Sequence, residues 1–187
     1  MTSFKNLLLI FCLICSLLDA KAQFKATYNG FRNLEGKEYQ VLEYKDIPVH
    51  KLYVLTGKWI NRTQYNPNIY TKDIEDESIY LHAADTLKLP GGLIKMKLYI
   101  DYGINFEFKD GKVRFQPIIH SLSTPLNIYF GYEGKKQSPH NINMFKQDGS
   151  VRGKNGKLFS EALDKWLNKL VSEYDQFMKT GGGEDDW

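Results

Sequence analysis

Phe106-Glu107-Phe108-Lys109-Asp110-Gly111-Lys112-Val113-Arg114-Phe115 is the stretch that decides the fold class. Apolar and polar residues alternate on both sides of Asp110-Gly111, the pattern of strands that bury one face and wet the other. Asp-Gly supplies the positive φ angles of a tight turn, so the two strands form an antiparallel hairpin.

Working outward, the same period of two recurs upstream. Ile104, Phe106 and Phe108 alternate with Asn105, Glu107 and Lys109 in a strand that starts after Gly103. Before it, Ile94, Met96, Leu98 and Ile100 alternate with Lys95, Lys97, Tyr99 and Asp101, and Ile79, Leu81 and Ala83 alternate with Tyr80 and His82. The strand after the turn runs from Lys112 to His120, and Pro117 places it at an edge or marks a bulge. A looser strand is read over Glu38–Tyr44. Between it and the sheet, Val49, Leu52, Tyr53, Thr56, Trp59 and Ile60 recur at helical spacing. The spacing predicts a helix over 47–63, capped by Asp46, with Pro48 in its first turn and a close helix-to-sheet contact at Gly57. Residues 64–77 read as a polar loop. A second amphipathic helix is predicted from Leu158 to Lys179, with Phe159, Leu163, Trp166, Leu167, Leu170, Tyr174, Phe177 and Met178 on one stripe. The expected architecture is α+β, order β-α-β-β-β-β-α: an antiparallel sheet of about five strands with two helices on one face.

The two ends of the chain carry different messages. Lys5, an apolar run from Leu7 to Leu18, and Ala20-Lys21-Ala22 form a secretory signal, so residues 1–22 are expected to be cleaved before Gln23. Lipidation at Cys12 or Cys15 is disfavoured because Phe11 and Ile14, not small residues, precede them. Cleavage removes both cysteines, which leaves no disulfide and no thiolate metal site. It also takes away Lys5, Lys21 and Asp19, leaving 23 basic against 21 acidic side chains, a net charge of +2. That near-neutral balance gives no electrostatic case for nucleic acid. Residues 23–37 read as a lead-in, 38–179 as one domain, 121–156 as a long loop insertion and 180–187 as a flexible tail. After the signal, no segment is apolar enough to span a bilayer.

Three stretches carry a family resemblance: Leu52-Tyr53 with Lys58-Trp59-Ile60, the hairpin from Phe106 to Phe115, and the closing amphipathic helix. With them the chain resembles domain of unknown function 4468, an uncharacterised family of exported proteins from Bacteroides-type bacteria. The resemblance implies a TATA-binding-protein-like fold and an exported location. It implies no activity, and the fold name carries no implication of DNA binding.

Chemistry-bearing patterns are few. His50, His82, His120 and His140 form no HExxH or HxH spacing, although His82 and His120 lie on strands and can meet across the sheet. The acidic run Asp73, Glu75, Asp76, Glu77 lacks the glycine and ligand rhythm of a calcium loop and reads as a solvated connector. No nucleophile elbow, P-loop or dinucleotide fingerprint occurs, and no cofactor or metal is expected. Asn61-Arg62-Thr63 matches a glycosylation sequon by chance. Two surfaces remain. The wet sheet face should present Tyr80, His82, Lys95, Lys97, Tyr99, Asn105, Glu107, Arg114 and Gln116, and a loop gathers Tyr129, Phe130 and Tyr132. The expected function is a non-enzymatic envelope module that binds a protein, glycan or anionic ligand through Tyr80, His82, Lys95, Lys97, Tyr99, Arg114, Tyr129, Phe130 or Tyr132. The alternatives are a hydrolase-type enzyme using His120 with a carboxylate from another strand, and a structural module of an envelope assembly.

Overall fold

The Asp110-Gly111 hairpin lies at the heart of the sheet. The computed structural model describes residues 23–63, 70–89, 96–123, 129–130, 144–146 and 148–182. Its strands are β1 (Phe24–Thr27), β2 (Gly30–Asn33), β3 (Gln40–Glu43), β4 (Tyr70–Ile74), β5 (Ser78–Leu89), β6 (Met96–Lys109), β7 (Lys112–Ser123) and β8 (Tyr129–Phe130). Its helices are α1 (Val49–Thr63) and α2 (Gly153–Lys179). The main sheet has the order β3-β7-β6-β5-β4, antiparallel throughout, with β8 also paired to β7. Gly111 takes φ +69° in the turn, which glycine adopts without a Cβ penalty.

The alternation works as a pleat requires. Leu98, Ile100, Tyr102, Ile104, Phe106 and Phe108 of β6 are buried on one face, as are Ile79, Leu81 and Ala83 of β5 and Val113 and Phe115 of β7. Both helices cover that face. α1 buries Leu52, Leu55, Thr56, Trp59 and Ile60, and α2 buries Phe159, Leu163, Leu167, Val171, Tyr174 and Met178. Trp59, Phe106, Phe115 and Tyr174 meet at ring-centroid distances of 5.1 to 6.2 Å. Edge-on contacts of this kind add to simple area burial. A polar contact crosses this core: Thr56 donates to the Leu52 carbonyl and accepts from the Tyr174 hydroxyl, each at 2.8 Å.

Several expectations change. From Met96 on, the runs read as two strands either side of Gly103 are one strand, β6, and residues 94 and 95 lie outside the described set. Even-numbered residues face the core on both sides of that glycine, so the pleat never breaks. The polar loop 64–77 contains β4, which pairs Tyr70–Ile74 with Ser78–His82; residues 64–69 lie outside the described set. The lead-in 23–37 holds the β1–β2 hairpin, and its Phe24 and Phe31 belong to the core. α2 fixes that hairpin with a side chain: Asn168 accepts from the Phe24 amide at 2.7 Å and donates to the Phe24 carbonyl at 2.9 Å. An amide side chain thus stands in for a neighbouring strand.

The cap on α1 is also different. Asp46 adopts φ +65° and leaves capping to Asp110, whose carboxylate accepts the Val49 amide at 2.9 Å. The β6–β7 turn therefore holds the start of α1 directly. Gly57 makes no close sheet contact, since a Cβ there would meet nothing within 4 Å. The insertion 121–156 is partly ordered into other elements: β7 reaches Ser123, Phe145 bridges Val151, and α2 starts at Gly153. Residues 131–143 fall outside the described set. The first residues of the expected tail fold back, with the Gly182 amide bonded to the Phe177 carbonyl at 3.0 Å and the Arg62 guanidinium donating to the Gly182 carbonyl. Residues 1–22, the expected signal, are likewise outside the described set.

Candidate functional site: the open face of the sheet

The helices and the N-terminal hairpin occupy one face, so the site forms on the other. There the odd residues of β6 meet the even residues of β5, because β5 and β6 pair with His82 opposite Gly103 and Tyr80 opposite Asn105. β7 joins them through a bulge. Tyr102 pairs with Ile119 and Asp101 with Ser121, which leaves His120 as the extra residue. A bulge re-aims the side chain it carries and restarts the alternation in the opposite phase. Ile119 packs against the core before it and Leu122 is buried after it.

Strands two apart in a sheet stand about 9–10 Å from each other. Side chains on β5 and β7 meet over β6 only if the residue between them is small, and Gly103 is that residue. A Cβ on Gly103 would lie 2.5 Å from the Tyr80 hydroxyl and 2.9 Å from His120 Nε2. Over this seat the Tyr80 hydroxyl and His120 Nε2 hydrogen-bond at 2.7 Å. The His82 and His120 rings pack edge to face at 4.8 Å. His82 Nε2 donates to Asp101 Oδ1 at 2.5 Å, with both side chains about two-fifths exposed. Burial, followed by the charge of Asp101, pushes the Tyr80 phenol above its ordinary pKa. The quartet can offer hydrogen-bond donors and acceptors on one face of the sheet, and a histidine oriented by a carboxylate.

The flanks of this face differ. Toward β3, Arg114 donates to Glu107 at 2.9 Å and lies 4.0 Å from the Tyr39 ring centroid, while Lys112 pairs with Glu43 at 3.4 Å. Toward the far end of β5, Tyr99 is 41% exposed, and Lys97 stands directly opposite Lys88.

Of the residues expected here, Tyr80, His82, Lys97, Tyr99 and Arg114 share this face. Lys95 and Tyr132 lie outside the described residues, and Tyr129 and Phe130 form β8 against Ser123 and Leu122. His120 finds Tyr80 and His82 as neighbours, and the Asp101 carboxylate meets His82. Sequence reading left Asp101, Gly103 and Lys88 without a role. The signal for Asp101 was its shared parity with Lys97 and Tyr99.

The acidic run, read as a solvated connector, is solvent-facing; it spans the end of β4 and the turn after it, and α1 contacts it. Tyr53 donates to Asp73 at 2.6 Å, and His50 Nδ1 bonds Asp76 Oδ1 at 2.8 Å. The bond to Asp73 raises the Tyr53 phenol to about 12. His50, Glu75 and Asp76 are the one trio of metal-ligand type among the described residues, with ligand atoms within 4.8 Å of one another. The trio is solvent-facing, and nothing else on the molecule marks it as a cation site.

No family model and no curated protein matches the chain. Two solved structures do. A DUF4468 family protein from Bacteroides ovatus superposes with a TM-score of 0.58 at 10% identity, covering 79% of this chain and 86% of that one. A TBP-like protein from Parabacteroides distasonis gives a TM-score of 0.51 at 14% identity, covering 74% of this chain and 90% of that one. Neither is named for an enzymatic activity. The chain thus resembles a DUF4468 family protein, and its fold is α+β and TATA-binding-protein-like.

Proposed function

We propose that the protein is an exported, non-enzymatic binding module of the cell envelope, which holds a protein, glycan or anionic ligand on the open face of its sheet. The observation that carries this reading is the quartet Tyr80, His82, Asp101 and His120 gathered over Gly103. A glycine inside a central strand sacrifices packing and chain entropy, and close approach of another group is its usual reason. Here that glycine and the bulge at His120 both serve the same square of surface.

Two observations weigh against the other readings. The hydroxyl bonded to His120 belongs to Tyr80, whose pKa is raised, the reverse of an activated nucleophile. Among the described residues the exposed large apolar side chains Leu34, Val41, Val54, Ile74, Tyr99 and Val151 come from different stretches of the chain and share no single element, which gives a purely structural module little support. A hydrolase-type enzyme keeps one point in favour, the His82–Asp101 contact.

The test is amide-shift mapping by NMR with panels of acidic and neutral oligosaccharides and charged peptides. Binding should perturb Tyr80, His82, Tyr99, Asp101 and His120, and His82→Ala with Tyr99→Ala should weaken it. Perturbations confined to the helical face would sink the proposal. Turnover of chromogenic esters or glycosides, lost in His82→Ala, would favour the enzyme. Export is checked by intact mass: the mature protein should begin at Gln23.

A further inference from the structure

Lys88 and Lys97 are cross-strand partners on the open face, both exposed. Directly opposed like charges destabilise a sheet. Neither ammonium reaches a carboxylate among the described residues. The two acids nearest in register are committed elsewhere: Asp101 accepts from His82, and Asp85, on the helix-covered side, accepts from the Trp166 indole at 2.8 Å. The connection between the two strands, residues 90–95, contributes no Asp or Glu and one more lysine, Lys95. Beside the lysines stand Tyr99, with an exposed ring, and its cross-strand neighbours Thr86 and Ser123.

We infer that this end of the face holds an acidic glycan, with a carboxylate or phosphate oxyanion between Lys88 and Lys97 and a sugar ring on Tyr99. The inference rests on the reading of the open face as the binding surface, and names its ligand class. Charge complementarity selects the anion, because an oxyanion between two ammoniums turns a repulsion into two attractions. The surroundings select a sugar over a protein. A protein interface needs an apolar centre, whereas Tyr99 is the one large apolar side chain exposed at this end among the described residues, and Thr86, Ser123, His82 and Asp101 offer polar groups to hydroxyls. Lys88 and Lys97 hold the anion, Tyr99 carries the ring, and the quartet over Gly103 continues the site along the sheet.

The experiment uses the mature protein and four probes: an oligogalacturonate, its methyl ester, a phosphomannan oligosaccharide and a glutamate oligopeptide. Calorimetry gives affinities, and amide shifts give the location. The oligogalacturonate should bind with perturbations at Thr86, Lys88, Lys97 and Tyr99, and its neutral ester at least tenfold more weakly. Lys88→Ala with Lys97→Ala should cost at least tenfold, while Lys112→Ala, at the paired end, should change nothing. Both variants are surface truncations, and unchanged circular dichroism confirms folding. Stronger binding of the phosphomannan with the same footprint assigns the oxyanion to phosphate and supports the inference. Equal binding of acid and ester on this face overturns the inference and leaves the binding-face reading intact. Binding of the glutamate peptide as tight as that of the sugars overturns the glycan assignment. Oligosaccharide binding mapped to the helical face overturns both, and no binding of either acidic sugar overturns the inference.

Discussion

The two ends of the open sheet face each set a lysine opposite a lysine and offset that repulsion differently. At the β3 end Lys112 faces Lys109 across the ladder but pairs with Glu43, and Arg114 pairs with Glu107 and lies over the Tyr39 ring. At the far end of β5 and β6, Lys88 faces Lys97 across the ladder and neither reaches a carboxylate among the described residues. The first end offsets its lysine pair with an acid of the same sheet, Glu43. We infer that the second is offset by a bound oxyanion. One sheet face therefore divides into a structural half and a half left open for a ligand, with the Gly103 quartet between them.

The difference can be broken most strongly at the structural end. Asp110 lies in the hairpin turn beside the paired charges and caps α1 through the Val49 amide. Asp110→Ala should cost about 0.5–2 kcal/mol, the usual loss of an N-cap, measured by denaturant unfolding. A null effect would mean that the turn does not hold the helix. Arg114→Ala removes an exposed ion pair and a cation–π contact together and should cost about 1 kcal/mol. A gain in stability there would erase the contrast between the two ends.

The same contrast explains what was legible in the sequence. The hairpin from Phe106 to Phe115 was readable because a pleat imposes a period of two and Asp110-Gly111 can do little but turn. β4 was not, because Tyr70-Thr71-Lys72-Asp73-Ile74 is an edge strand held by pairing with β5 rather than by a buried stripe. β5 was expected to end at Ala83 and runs to Leu89, because Ala84-Asp85-Thr86 interrupts the apolar pattern. Asp85 shares the parity of the inward residues but is exposed, and it accepts from the Trp166 indole. That truncated reading hid Lys88. The quartet was hidden for a different reason. His82, Asp101 and His120 were each visible, but their meeting depends on register and on a bulge, and neither is written in local periodicity. Gly103 read as a break because its lack of a side chain counts against a strand, when that lack makes room for Tyr80 and His120.

The most direct test of the divided face is Lys88→Glu, read by chemical denaturation and by oligogalacturonate affinity on the same sample. It replaces a cross-strand repulsion with an ion pair to Lys97 and should raise stability by about 0.2–1 kcal/mol. It should also lower the affinity at least tenfold. Stability up and binding down means that the lysine pair is kept for a ligand. A loss of stability, or an affinity that does not change, would contradict the account.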